Sequence, residues 1–406
     1  MASSGHSVSV HSDVGKVKDV AMMRVGVSLL AAKPGLEGGL GTYIRAIAQA
    51  LAARSSERYV FFAPSVMFEF WANELPTGAT LIACSVNSRT PELRAVYESV
   101  VLPSRAVRAG CDIMYYPHLV APLRRMPKAV VTVHDVMHLT QPAGFSWYKR
   151  LYLRASYQRL VAGATTIVTA SEFCRRQLTE LLGISPDRIN VVLSGVDEAF
   201  SANRSGAHPP DAPRGQYLLS VAAAYPHKRL PLLVRAFELT AGRFPSLRLL
   251  FVGLGTGLDR ERERLNAAIN RSAVRDRIVI LDRLPWDQLP ALYRGAVALV
   301  HSSAFEGFGL PIAEAMVAGT PVVASPAVAV VEILAGHGTI AAGWGEEGLS
   351  SAIESVLQWS PSQRAQRLRV AQDYARGRFT WDGAAEALAG TFRRLAGAPS
   401  GVIGPA

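Results

Sequence analysis

The sequence predicts an α/β chain of two Rossmann-like β/α/β domains facing across a cleft, and three observations carry that prediction. Short apolar runs of strand length alternate with helical stretches along most of the chain. A polar, Pro- and Gly-rich segment, residues 201–216, divides that alternation into two comparable halves. At 406 residues the chain is long enough for about two or three domains, each with its own core.

The first half opens on a strand at residues 24–30 (RVGVSLL), then a glycine-rich loop at 35–41 and an amphipathic helix at 42–54. Further strand-like runs follow at 59–63, 80–84, 113–116, 129–134, 165–169 and 190–193. Helical stretches separate most of them, as parallel strands require, because a parallel pair needs a crossover rather than a tight turn. Beyond the linker, strands at 217–222, 247–252, 278–281, 296–301 and 321–324 alternate with helices at 230–243, 258–270, 286–293 and 311–318. A last helical stretch covers 381–395. The expected division is a disordered leader at 1–21, a domain at 22–200, the linker at 201–216, a second domain at 217–378, and a C-terminal helix and tail at 379–406. The leader is rich in Ser, His and Val and lacks the apolar region of a signal peptide.

Composition, 49% hydrophobic and 18% charged, is that of a soluble α/β enzyme. Cys84, Cys111 and Cys174 are too few and too scattered for a disulfide framework or a zinc site, which fits a reducing cytoplasm. No window approaches the ~18 apolar residues of a membrane span. The net charge of +11 is concentrated: residues 124–176 hold nine Lys/Arg against Asp135 and Glu172. Within that stretch, a candidate helix at 146–160 interleaves Trp147, Tyr148, Tyr152 and Tyr157 with four cations. Aromatic plus basic suits a helix lying on an anionic membrane surface, and equally a solvated helix whose aromatics pack inward.

Residues 305–325, FEGFGLPIAEAMVAGTPVVAS, carry the densest chemistry. They read as a loop after a buried strand, a short helix opened by Pro311 and stopped by Gly319, and a further strand. Glu306 falls in the loop and Glu314 in the first turn of the helix, at the carboxyl end of the strand where such sheets bind ligands. Read alone, Glu314 could merely complement the helix dipole and Glu306 could be solvated. Gly307 and Gly309 argue for more, since they let backbone approach a ligand closely.

The string E-G-F-G-L-P-x-x-E-A-M-x-x-G-T-P-V-V-A resembles the E-x7-E signature of retaining glycosyltransferases of GT-B fold, the group 1 family. The resemblance implies a nucleotide-sugar donor in the C-terminal domain. Glu306 would lie near the sugar ring, Glu314 would bond the ribose hydroxyls, and Gly307, Phe308, Gly309 and Leu310 would complete the donor loop. It also implies that the last helix crosses back onto the N-terminal domain, which would hold the acceptor.

Other positions gain meaning from it. GLEGGLGTY is no dinucleotide fingerprint, because Ile44 stands where a third glycine is needed. It still sets Gly38, Gly39 and Gly41 before a helix N-terminus, as a tight turn or as a backbone cradle, and the latter is similar to the family's pattern. His134 closes the apolar run VVTVHDV and matches the family's cleft histidine, with His118 and His138 as neighbouring candidates on the acceptor side. Lys228 and Arg229, in AAAYPHKRL, stand where the family carries a cation for the donor diphosphate.

A leaving nucleoside diphosphate develops negative charge that must be neutralised. The chain contains no D-x-D metal motif, so Lys228, with Arg229 and the helix N-terminus at Pro311, would replace a metal. One departure is Ala222, where many relatives carry an arginine. Ser171 reads as a helix N-cap, residues 194–197 (SGVD) resemble the family's N-G-V-D turn, and Gly253, Gly255, Arg283 and Leu284 end strands where the base docks in the family.

The expectation is a retaining, metal-independent, cofactor-free hexosyltransferase, working in the cytoplasm, either free or peripheral on the inner membrane face, and taking mannose from GDP-mannose to a glycan or lipid-linked acceptor. A glycogen- or starch-synthase-like glucosyltransferase is the alternative, although Glu37 replaces the lysine that precedes the glycine pair there. A dinucleotide oxidoreductase lacks its fingerprint here, and a nucleic-acid-binding protein would leave the two glutamates unexplained.

Overall fold

The computed structural model describes residues 22–32, 38–86, 90–120, 122, 128–140, 147–163, 166–201, 208–282 and 284–397. The leader at 1–21, Glu37, Arg283, residues 202–207 of the linker and the tail from 398 lie outside them. Two parallel sheets organise the chain. The first runs β3-β2-β1-β4-β5-β6-β7, from β1 (Arg24–Ser28), β2 (Arg58–Pro64), β3 (Thr80–Cys84), β4 (Ile113–Tyr116), β5 (Ala129–Thr132), β6 (Thr166–Thr169) and β7 (Ile189–Val191). The second runs β10-β9-β8-β11-β12-β13, from β8 (Tyr217–Val221), β9 (Arg248–Val252), β10 (Ile278–Leu281), β11 (Ala298–His301), β12 (Val322–Ala324) and β13 (Thr339–Ile340).

These strands are apolar on both faces because helices cover both. β4 (IMYY) and β11 (ALVH) are buried at every position. In each sheet the strand order reverses once, between β1 and β4 and between β8 and β11, where Val25 pairs with Ile113 and Leu299 with Leu219. Those reversals open the crevices in which doubly wound sheets bind ligands.

The last helix, Trp381–Gly397, packs on the first domain. Ala385, Leu388 and Phe392 join the core of Val25, Ile44, Phe61 and Tyr115, and the Phe392 ring lies 5.6 Å from that of Tyr115. Arg393 pairs with the buried Glu57 at 2.6 Å. The chain crosses at residues 194–197, where Val196 N–H donates to Phe379 O at 3.0 Å.

Several expected boundaries move. The helix expected at 42–54 spans Gly39–Ala52, so Gly39 and Gly41 lie in its first turn and Gly38 caps it. The helix expected from Pro311 starts at Leu310, with Gly309 as cap at φ 98° and Gly319 as stop at φ 78°, both in the left-handed region that suits glycine. Proline can occupy the first helical turn without loss, so it marks a start only to within a residue. Glu314 therefore falls in the second turn, not the first. Residues 286–293 divide into a 3-10 turn, Trp286–Gln288, and a helix, Leu289–Gly295.

In the basic helix Trp147–Ala162, Trp147, Leu151 and Tyr152 face outward while Tyr157 is buried and stacks on His138 at 4.8 Å. Among the described residues no helix is long and apolar enough to cross a membrane.

Candidate active site

The site forms at the reversal of the second sheet. After β8 the chain makes a 3-10 turn, Pro226–Lys228, and Arg229 takes left-handed angles (φ 51°) to enter the helix Leu230–Ala241. A side chain with Cβ pays for that conformation, on the order of 1–3 kcal/mol. Two bonds clamp the turn to the loop after β11: Ser302 Oγ donates to Lys228 O at 2.7 Å, and Ala304 N–H to His227 O at 2.7 Å.

Across that clamp Lys228 Nζ donates to Glu306 Oε1 at 2.6 Å. The same oxygen accepts from His301 Nε2 at 2.8 Å. Burial alone would raise the Glu306 pKa, but Lys228 and His301 hold it well below the usual carboxylate range, so Glu306 is ionised. His227, half-buried and beside Lys228, is pushed down to about 4 by partial desolvation and that neighbouring charge, and is neutral near pH 7. The structure thus gathers Lys228 from the turn after β8 and His301 and Glu306 from the end of β11 and the loop that follows it. His301 was read from the sequence only as the end of a strand; a histidine closing an apolar run carries no signal of a carboxylate five residues on.

The opposite wall comes from the first domain. His134 lies two residues past β5, with Nε2 donating to Pro117 O at 2.9 Å and its ring edge-on to Tyr43 at 4.7 Å. Burial pushes its pKa down, against the pull of the Pro117 carbonyl and Asp135, so it is neutral. Since the Pro117 carbonyl can only accept, Nε2 carries the proton and Nδ1 the lone pair.

Tyr43 ties His134 to the helix that begins at Gly39. A Cβ at Gly38 or Gly39 would meet no described residue within 4 Å, and neither has positive φ, so packing among the described residues does not require glycine there. At Gly307 the opposite holds: a Cβ would stand 1.9 Å from His134 O. Ser171, which caps the helix Glu172–Leu182, also donates to Gly307 O at 2.7 Å. The residue after Glu306 is thereby wedged against His134 and Ser171 of the other domain.

The remaining candidates are spread out. Glu314 is buried, away from the Glu306 cluster's partners, and its Oε2 accepts from Tyr293 Oη at 2.6 Å. Phe308 is buried edge-on to Phe379 at 5.7 Å, and Leu310 is half-buried at the helix start. The Arg229 guanidinium lies 5.7 Å over the Trp344 ring. Gly253 turns the chain out of β9 with φ 88°, and Leu284 packs on the second-domain core. His118 is buried deeper in the first domain, where its Nε2 pairs with Glu98 at 2.9 Å.

Comparison with known proteins fits this geometry. A family model described as "Glycosyl transferases group 1" matches residues 208–372, and one described as "Glycosyltransferase Family 4" matches residues 37–200. The chain is 28% identical over 283 residues to an O-antigen chain mannosyltransferase B of Escherichia coli, covering 66% of this chain and 72% of that protein. It is 33% identical over 256 residues to a D-inositol 3-phosphate glycosyltransferase of Acidothermus cellulolyticus, covering 58% of this chain but only 54% of that relative's length. In three dimensions it is similar to Anabaena HepE in complex with UDP and glucose, with TM-score 0.69 at 18% identity, over 92% of this chain and 100% of that one. With both domains matched and the sheets arranged as described, the chain belongs to the group 1 glycosyltransferases and has the GT-B fold.

Proposed function

We propose that the chain is a retaining, metal-independent hexosyltransferase that moves mannose from GDP-mannose to a glycan or lipid-linked acceptor of a surface polysaccharide. The observation that carries this reading is the Lys228–Glu306–His301 cluster at the carboxyl edge of the second sheet, facing His134. Mannose is favoured by likeness to the O-antigen mannosyltransferase. A second reading, UDP-glucose, rests on the fold's likeness to HepE with UDP and glucose.

In this reading the donor diphosphate meets Lys228 and the N-terminal end of the helix Leu310–Ala318, where a helix dipole favours an anion. Charge leaves on the diphosphate as the glycosidic bond breaks, and a fixed ammonium neutralises it without reorganisation. An ionised Glu306 stabilises the positive sugar carbon, either electrostatically during same-face attack or as a nucleophile in a double displacement. His134 Nδ1 meets a sugar hydroxyl from the other wall. The open space above Gly38 and Gly39 suits a sugar or phosphate brought against their backbone. Glu314 serves the ribose hydroxyls, and outward Trp147, Leu151 and Tyr152 with the helix's cations suit an anionic membrane face.

Thermal shift against GDP, UDP, GDP-mannose, UDP-glucose and NAD tests the donor, since a ligand at 100 times its Kd adds about 2.7 kcal/mol of stability. Stabilisation by GDP and GDP-mannose, followed by GDP release on adding acceptor glycan, is expected. Stabilisation by NAD alone would overturn the transferase reading, and by UDP alone would move the donor to UDP-glucose.

A further inference from the structure

The cluster around Glu306 holds one feature that charge neutralisation does not explain. A single carboxylate oxygen, Oε1, takes two donors, Lys228 Nζ at 2.6 Å and His301 Nε2 at 2.8 Å. The two are held very differently. Lys228 reaches in on a four-carbon stem from a 3-10 turn. His301 is the last residue of β11, in the middle of the second sheet, paired with Ala324 of β12, its carbonyl accepting from Ser325 N–H at 2.9 Å, its side chain 4% exposed. The lysine can turn to another anion, whereas the imidazole is fixed.

From this contrast, and resting on the transferase reading above, we propose that His301 is a positioning residue that keeps the Glu306 carboxylate aimed at the sugar when Lys228 turns to the donor diphosphate. An ammonium cannot fully serve two anions at once. If Lys228 were the sole donor, each donor-binding event would leave a buried carboxylate without a partner, at the desolvation cost such a group carries. With His301 in place the carboxylate keeps one direct hydrogen bond and its orientation. Nε2 must carry the proton for this, because an ionised carboxylate only accepts. Among the described residues, the other ionisable groups facing this site are His227 on the same turn as Lys228, and His134 and Asp135 from the first domain.

The test pairs His301→Leu, which removes the donor, with His301→Gln, which restores an N–H at similar reach. With GDP-mannose or UDP-glucose as donor, whichever turns over, His301→Leu is expected to lower kcat on the order of 10²-fold, the scale of a small misplacement. Donor KM should stay within threefold, the acid limb of the kcat profile should move to higher pH, and His301→Gln should recover most of both.

Independently of donor identity, carboxyl-13C NMR, with Glu306→Gln to assign the Glu306 signal, reads the carboxylate directly, with inorganic pyrophosphate to occupy Lys228. Pyrophosphate is expected to shift the Glu306 titration further upward in His301→Leu than in the wild type, where the imidazole still holds the carboxylate. An unchanged kcat in His301→Leu, a loss that Gln does not recover with an unmoved pH profile, or identical pyrophosphate titrations would each overturn the proposal. If Glu306→Gln itself retained full turnover, the transferase reading of Glu306 would fail instead, whatever the His301 variants do.

Discussion

Glu332 of the second domain caps a helix of the first. Its Oε1 accepts from Glu172 N–H at 2.7 Å and its Oε2 from Phe173 N–H at 2.8 Å, at the N-terminus of the helix Glu172–Leu182. Beside this contact the Phe173 and Phe305 rings meet at 5.6 Å, one residue from Glu306. A carboxylate on two helix N–H groups is the charge-favoured partner of that helix end.

Glu332→Ala should therefore loosen the two domains without unfolding either. Charge-assisted hydrogen bonds contribute about 1.5–3 kcal/mol each, so the loss of even one lowers the closed-to-open ratio by roughly ten- to a hundredfold. Small-angle scattering should give a larger radius of gyration than wild type, and saturating nucleotide should narrow the gap. Identical scattering and unchanged kcat/KM would show that Glu332 does not hold the cleft.

Gly307 makes a sharper prediction. A Cβ there would lie 1.9 Å from His134 O, and both partners are backbone, so nothing flexible can give way. Gly307→Ala should push the walls apart and lower kcat/KM by on the order of 10²-fold. The cores of both domains are untouched, so circular dichroism should be native. Wild-type kcat/KM in this variant would mean that the closed contact is dispensable.

The architecture was legible because its signals are local. Strand-length apolar runs punctuated by helices need no tertiary knowledge, and β3, β4 and β10 lie where those runs lie. The two-residue strand Thr339–Ile340 was missed, being too short to show periodicity. Within the site, Glu306 stood out as a charge in apolar surroundings and Lys228 through the family resemblance, yet their direct contact, 78 residues apart in sequence, was not written in either segment. Glu332 was invisible for another reason. Its partners are backbone N–H groups 159 and 160 residues away, and every residue type but proline has one. Glu314 was placed one turn early because proline is accepted at more than one position of a first turn.

Lys228 can be separated from a structural role by its two partners. Lys228→Ala leaves Glu306 with His301 alone and removes the cation proposed for the diphosphate. Donor KM should rise and kcat fall together, with kcat/KM lower by at least 10²-fold. Lys228→Arg should recover only part, because a planar fork does not reproduce a point charge on a stem. Isothermal titration with the nucleoside diphosphate checks the binding share. Affinity and turnover within twofold of wild type in Lys228→Ala would remove this residue from the mechanism.

Glu314 predicts a pH dependence of stability. Burial pushes its carboxyl up to about 7; the Tyr293 hydroxyl bond opposes the shift and the nearby Asp197 carboxylate adds to it. Unfolded, the group titrates near its ordinary 4.5. Between those values the folded state binds more protons than the unfolded one, so stability must fall as pH rises. The contribution is fully present below about pH 4.5, declines through pH 7 and is flat above, with a total on the order of 3 kcal/mol. Carboxylates held low, such as Glu306 and Glu98, act in the opposite sense and at lower pH, so a difference curve isolates Glu314. Glu314→Gln keeps an acceptor for the Tyr293 hydroxyl and removes the titration. Urea melts from pH 4.5 to pH 8 should show the wild type losing stability relative to Glu314→Gln as pH rises. Parallel curves would mean that Glu314 titrates at an ordinary value and that water or a rearranged Tyr293 reaches it.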